Sequence, residues 1–190
     1  METKNILIVG VGGQGSLLAS RILGDLFAEM GAEVKVSEVH GMSQRGGSVV
    51  TYIRAGERID SPLVTPGEAD IIIAFEELEA LRWVNQLKKG GTIIYSTQRI
   101  SPMPVITGAA EYPDGIADKL TAAGVKTIEL DALALAVKAG SEKAANVVLL
   151  GRASKVIGGT GEQWERALTL AIPAKFLEMN MRAFKNGLEA

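Results

Sequence analysis

Apolar positions follow two different periods along this chain, and the changes of period mark its elements. Residues 6–9 form a short, wholly apolar run that stops at Gly10, the pattern of a strand buried on both faces. From 16 to 30, Leu18, Ile22, Leu26 and Met30 recur every four positions and Leu23 and Phe27 widen the stripe, which predicts an amphipathic helix ended by Gly31. Residues 34–39 alternate as a second strand, completing a β-α-β unit. The next segment, SVVTYIRAGERIDSPLV, departs from the repeat, and its two β-rich runs around Ala55 and Gly56 predict a hairpin in place of another crossover helix. ADIIIAF then predicts a buried strand, followed by a helix through Glu77, Leu78, Leu81, Val84 and Leu87 that stops at Gly90 and Gly91. GTIIYS and VKTIEL supply two more strands. Three of the six prolines lie between them, so that connection is expected to be irregular, with a short edge strand around Val105 and Ile106. Asp131 is placed to cap a helix over 132–139, and Gly140 and Ser141 reset the chain for another through Val147, Leu149 and Leu150. The expected architecture is α/β: one domain over residues 1–190, with a largely parallel, Rossmann-like sheet flanked by helices, an added β-hairpin and a helical C-terminal third.

Composition narrows the function classes. With 190 residues, 47% of them hydrophobic, the chain can bury a sizeable core. The net charge of −2 and the scattered Lys and Arg leave no electrostatic footprint for nucleic acid. Without cysteine the chain forms no disulfide and offers no thiolate to an iron–sulfur cluster, so any such cluster must sit on a partner. No apolar run approaches the roughly 18 residues of a membrane span, and the apolar part of METKNILIVGVGG is too short for a signal-peptide core. A cytoplasmic protein without membrane or nucleic-acid partners is expected.

The first candidate chemistry is Gly10-Val11-Gly12-Gly13-Gln14-Gly15, a G-x-G-x-x-G sequence between a predicted strand and a predicted helix. Amides at that helix N-terminus are suited to a phosphate, and Glu38, at the end of the second strand, stands near the distance of a ribose-binding acid. The other reading is that these glycines allow a sharp turn, close helix–strand packing and contact with a partner. The chain after Glu38 weighs against a dinucleotide, because it leads into a loop and hairpin rather than the next helix of a mononucleotide-binding half.

The second candidate is that loop. It holds the only histidine, His40, with Ser43, Gln44, Arg45, Gly46 and Gly47, far more chemistry than a connection needs. Ligands bind at the carboxyl ends of strands in open α/β sheets, so this loop and the glycine loop are expected to form one surface. Arg45 offers a planar five-donor fork suited to carboxylate or phosphate, and the glycine pair lets backbone approach a partner closely. His40 can titrate near neutrality, or lie idle in a solvated loop. No nucleophile–base set and no metal-ligand cluster accompanies these residues, so no catalytic residue is assigned to the chain. The remaining features read as structural: Trp83 and Trp164 as core or interface aromatics, EELEALR as a helix with a wet charged face, Asn146 as a cap or buried amide, and Gly151 as a close helix contact.

Taken together, VGVGGQGSLLASRIL, VSEVHGMSQRGGSVVTYIR, GEADIIIAFEELEALR, GGTIIYST, NVVLLG and PAKFLEMNMRAFKNG resemble the gamma-type subunits of 2-oxoacid:ferredoxin oxidoreductases. The likeness covers nearly the whole chain, and HGMSQRGG is its most discriminating part, in a form that favours the indolepyruvate branch. The resemblance implies a gamma-type catalytic domain over 1–190. It also implies oxidative decarboxylation of an aryl 2-oxoacid with coenzyme A, giving an arylacetyl-CoA, carbon dioxide and reduced ferredoxin. Thiamine diphosphate with Mg and the [4Fe-4S] clusters would belong to a large alpha subunit, with ferredoxin as acceptor of the complex. The chain alone would then bind no cofactor, in agreement with its lack of cysteine. Other branches of the family act on pyruvate, 2-oxoisovalerate or 2-oxoglutarate. A stand-alone nucleotide-dependent oxidoreductase and a noncatalytic interaction module are the readings from other classes.

Overall fold

The computed structural model of the chain describes residues 2–38 and 46–190. The elements in order are β1 (Lys4–Val11), α1 (Ser16–Glu29), β2 (Glu33–Glu38), β3 (Ser48–Gly56), β4 (Ala69–Ala74), α2 (Glu77–Arg82), β5 (Leu87–Ser96), α3 (Met103–Ile106), α4 (Ile116–Ala122), β6 (Lys126–Leu130), α5 (Ala132–Ala139), α6 (Ala145–Ile157), α7 (Gly161–Ala171) and α8 (Ala174–Glu189). The strands form one sheet in the order β2-β3-β1-β4-β5-β6. β1, β4, β5 and β6 pair in parallel, whereas β3 runs antiparallel to both β1 and β2.

The sheet has two unlike faces. On one, Ile6, Ile8, Ile53, Ile71 and Ile73 pack with residues of α1, α5, α6, α7 and α8 in a single apolar cluster. On the other, Leu7, Val9, Val50, Ile72, Ile93 and Tyr95 meet the short helices α2 and α4 and Val64 from the segment after β3. β1 supplies both clusters by simple alternation, which is why its sequence reads as continuously apolar. The first face is closed by the contact of α6 with α8. Alanine at Gly151 or Gly187 would place a Cβ 2.0 Å from the Phe184 carbonyl oxygen or 1.9 Å from that of Val148, so the two backbones touch only because these positions have no side chain. Gly151 is therefore the close helix contact its sequence setting implies. Asp131 caps α5 through the Ala134 amide at 2.9 Å, also as expected.

Several local expectations are corrected. The added hairpin exists, but its arms are β2 and β3, with no reversal at Ala55-Gly56. β3 runs unbroken to Gly56 because it is held on both edges, Lys4 opposite Ala55 and Glu33 opposite Gly56. The second expected arm is not a strand; Arg54 gathers it by donating to the Ser61 carbonyl at 3.0 Å. The helix after β4 ends at Arg82, and a 3-10 turn at Val84–Gln86 leads into β5, so Gly90 and Gly91 lie inside a strand. The register against β4 shifts there, Ala69 facing Leu87 and Ile71 facing Thr92, and the positive φ of Gly90 accommodates the irregularity. Val105 and Ile106 close the short helix α3, not an edge strand.

Candidate functional site at the carboxyl rim

Five strands end on one rim of the sheet and β3 begins there, so the glycine loop after β1, Gly46 and Gly47 before β3, and the segments after β4 and β5 all converge. The two glycine segments are joined directly. The Gly12 amide donates to the Gly47 carbonyl at 2.9 Å and the Gly46 amide to the Gly12 carbonyl at 3.3 Å, extending the β1–β3 ladder one step past Val11 and Ser48. The single surface expected from sequence is thus formed by Gly12, Gly46 and Gly47. His40, Ser43, Gln44 and Arg45 lie outside the described residues.

Gln14 has a structural duty. Its Oε1 accepts from the Val11 amide at 2.7 Å, and its Nε2 donates to the Phe75 carbonyl at 2.9 Å and to Gln98 Oε1 at 3.1 Å. The side chain therefore spans the gap between the ends of β1 and β4, where crossovers diverge to the two sides of the sheet and open α/β folds usually bind their ligand. Gly10 must lack a side chain, since a Cβ would lie 2.8 Å from Gln14 Oε1 and 3.1 Å from Phe75 Cβ. Gly15 precedes α1 at φ +85°, and a Cβ there would meet Asn146 Nδ2 at 2.4 Å; that amide donates to the Gly15 carbonyl at 3.0 Å. Gly13, at φ +105°, has no atom within 4 Å of a would-be Cβ. Gly10 and Gly15 thus serve packing, and Gly13 serves the turn and faces open space.

The fingerprint does not fit a dinucleotide. Antiparallel β3 separates β2 from β1, moving the end of β2 one strand spacing, about 4.8 Å, further from the glycine loop than in a dinucleotide fold. Glu38, in the ribose-acid position, accepts from Ser20 Oγ at 2.7 Å. The Val11, Gly12 and Gln14 amides are already bonded within the rim. The chain has no thiolate for an iron–sulfur cluster, and among the described residues there is no group of three or more His, Cys, Asp or Glu that could hold a metal ion.

Beside the glycine junction, on the second face, lies a cleft of about 580 Å³ lined by Gly46, Gly47, Glu76, Glu79, Arg82 and the 100–106 segment. Met103 and Ile106 on its border are 63% and 65% exposed, an apolar lip turned to solvent. Sequence reasoning missed the glutamates here. Glu76, Glu77 and Glu79 are 1%, 7% and 3% exposed, correcting the wet helix face expected for EELEALR. Glu76 accepts from the Tyr112 hydroxyl at 2.6 Å, the Ile100 amide at 3.0 Å and the Glu79 amide at 2.9 Å, capping α2. Glu77 pairs with Arg99, whose guanidinium lies 5.3 Å from the Tyr112 ring centroid. Glu79 accepts from Arg82 Nε at 2.9 Å, Trp83 Nε1 at 3.2 Å and Ser48 Oγ. Burial and the hydrogen bond to Glu76 raise the Tyr112 pKa, and burial with the Glu129 hydrogen bond does the same for Tyr95. The signal that could have exposed this network is position: three glutamates directly after a fully buried strand must start at the rim, where the chain has not yet left the core. Trp83 is consumed here, and Trp164 is core, donating to the Gly158 carbonyl at 2.9 Å.

A largely parallel sheet, interrupted by one antiparallel strand and carrying a glycine loop, defines a Rossmann-like domain whose crevice between β1 and β4 is filled by its own glutamine. The chain belongs to the pyruvate ferredoxin/flavodoxin oxidoreductase family, whose pattern it matches over residues 5–190. It is 43% identical over 195 residues to the indolepyruvate oxidoreductase subunit IorB of Thermococcus kodakarensis, covering 100% of this chain and 96% of that protein. It is 30% identical over 193 residues to the 2-oxoglutarate synthase subunit KorC of Methanothermobacter marburgensis, covering 98% and 95%. The gamma subunit of a keto/oxoacid ferredoxin oxidoreductase from Geobacter sulfurreducens superposes with a TM-score of 0.73 over 98% of this chain and 96% of that one; at 24% identity this establishes the shared fold.

Proposed function

We propose that this chain is the small subunit of a cytoplasmic indolepyruvate:ferredoxin oxidoreductase, converting an aryl 2-oxoacid and coenzyme A to an arylacetyl-CoA and carbon dioxide with reduction of ferredoxin. The observation that carries the substrate class is the 43% identity, across the whole chain, to a subunit named for indolepyruvate, against 30% to one named for 2-oxoglutarate. The decarboxylation chemistry belongs to thiamine diphosphate, magnesium and [4Fe-4S] clusters on a large partner subunit, a division favoured by the lack of cysteine here.

In this reading the chain's own residues bind and orient. Gly12, Gly46 and Gly47 hold the base of the loop, and Arg45 addresses either a carboxylate of the large subunit or a phosphate of coenzyme A. Co-expression with the large subunit and profiling of 2-oxoacids tests the substrate class: aryl pyruvates should be preferred, and equal or better turnover of 2-oxoglutarate or pyruvate would move the chain to another branch. Arg45→Ala should weaken subunit affinity if the partner is the carboxylate, or raise KM for coenzyme A if it is the phosphate, by a factor of about 30 or more, since an unmatched desolvated charge costs about 2 to 5 kcal/mol. Wild-type assembly and turnover would remove the loop from the functional surface.

A further inference from the structure

Glu79 is almost fully buried, belongs to no metal-holding group among the described residues, and lines the rim cleft beside Ser48. Burying a carboxylate is unfavourable unless its oxygens are hydrogen-bonded, and apolar residues of similar volume usually serve stability at least as well. All three of its side-chain partners are donors. Arg82 Nε, at 2.9 Å, and Trp83 Nε1, at 3.2 Å, come from its own helical turn and the residue after it. They fix the carboxylate, whose backbone amide is in turn fixed by Glu76 Oε2 at 2.9 Å. The third donor, Ser48 Oγ, comes from across the rim. Ser48 is exposed and is the first residue of β3, directly after Gly46 and Gly47, which are joined to Gly12. A rigid anion on α2 therefore holds the residue that ends the loop.

We propose that Glu79 is a positioning residue of the assembled enzyme: through Ser48 it sets where Gly46 and Gly47 sit against Gly12, and so the placement of the surface offered to the large subunit or to coenzyme A. This rests on the reading of the rim as a functional surface given above. Arg82 and Trp83 serve it by orienting the carboxylate. Ser48→Ala removes the link without opening a cavity, and Ser48→Thr retains the hydroxyl.

The test uses the full chain, alone and assembled with its partner. Ser48→Ala and Glu79→Gln should speed amide hydrogen exchange at Gly12 and Gly46 by about fivefold or more, as expected for a lost charged hydrogen bond, while Ser48→Ala leaves the melting temperature within about 3 °C. Ser48→Thr should restore protection. In the complex, Ser48→Ala should shift the same quantity that Arg45→Ala shifts, KM for coenzyme A or subunit affinity, by about tenfold, with kcat changed less than twofold. Unchanged exchange at Gly12 and Gly46 overturns the proposal. So does a normal Ser48→Ala complex beside an impaired Arg45→Ala one, and that result leaves the functional reading standing. Faster exchange with both complexes fully active would leave the link in place and overturn instead the reading of this rim as functional.

Discussion

The two faces of the sheet are built by different physics. On the helical face the buried polar side chains, Ser20, Asn146, Ser154 and Asn180 among them, are uncharged, and cohesion comes from apolar packing and the backbone contact of α6 with α8. On the other face, short helices and a loop cover less of the sheet, and three buried glutamates, two buried or half-buried tyrosines and two arginines do much of the joining. Apolar packing tolerates many arrangements of similar energy, whereas a buried carboxylate with three donors accepts very few. The face that carries the cleft at the rim is the one built from hydrogen bonds.

Substitution on the helical face should give the largest loss. Gly187→Ala puts a methyl carbon into the Val148 carbonyl and forces α8 away from α6, costing about 3 kcal/mol in denaturant unfolding, equally at pH 7 and pH 10.5. A loss below about 1 kcal/mol would mean that the helices can separate freely and that this face is no tighter than the other.

On the hydrogen-bonded face, Tyr112→Phe should cost about 2 kcal/mol at pH 7, because Glu76 stays buried with one donor fewer. An unchanged unfolding midpoint would show that water replaces the phenol and that the face is looser than its hydrogen bonds imply.

Alkali should separate the faces further. Tyr95 and Tyr112 are held protonated in the fold, so their contribution is full below the unfolded value of about 10 and is lost as the pH rises from there toward the higher folded values. Stability should fall above pH 10 by up to about 1.4 kcal/mol per pH unit for each phenol, and Tyr95→Phe or Tyr112→Phe should flatten the slope where Gly187→Ala does not. Parallel slopes for all variants would place the alkaline loss elsewhere.

The smallest effect is expected where the faces meet. Gly13→Ala should cost only about 1 kcal/mol, the penalty of a positive φ, since nothing stands within 4 Å of the new methyl. A loss as large as that of Gly187→Ala would indicate that Gly13, too, is a packing residue.

Most of the helical face was legible in the sequence. The four-residue spacing of α1 and the Asp131 cap each state a requirement of their own helix, and Gly151 stands as the small residue a close helix contact needs, although its partner Phe184 lies 33 residues on. At the rim, the glycines of G-x-G-x-x-G and the Gly46-Gly47 pair meet in one place, as their sequence setting implies, yet the motif could not show that Gln14 fills the crevice, because its partners Phe75 and Gln98 lie 61 and 84 residues away. The glutamates were misread for the same reason: a helical pattern weighs a residue against its own turn, while Glu76 is buried by Tyr112 and Ile100. β3 was broken at Ala55-Gly56 because local turn propensity cannot see that a strand is held from both sides.

That central antiparallel strand has one more consequence, for what the sheet can touch. By pairing with both neighbours it leaves β2 and β6 as the two outer strands, and both carry charge: Glu33, Lys35 and Glu38 on one, Lys126 and Glu129 on the other. Charged borders resist strand addition, so one copy has little tendency to recruit another into a growing ribbon. An exposed apolar surface lies instead at the rim, where Met103 and Ile106 stand beside the glycines.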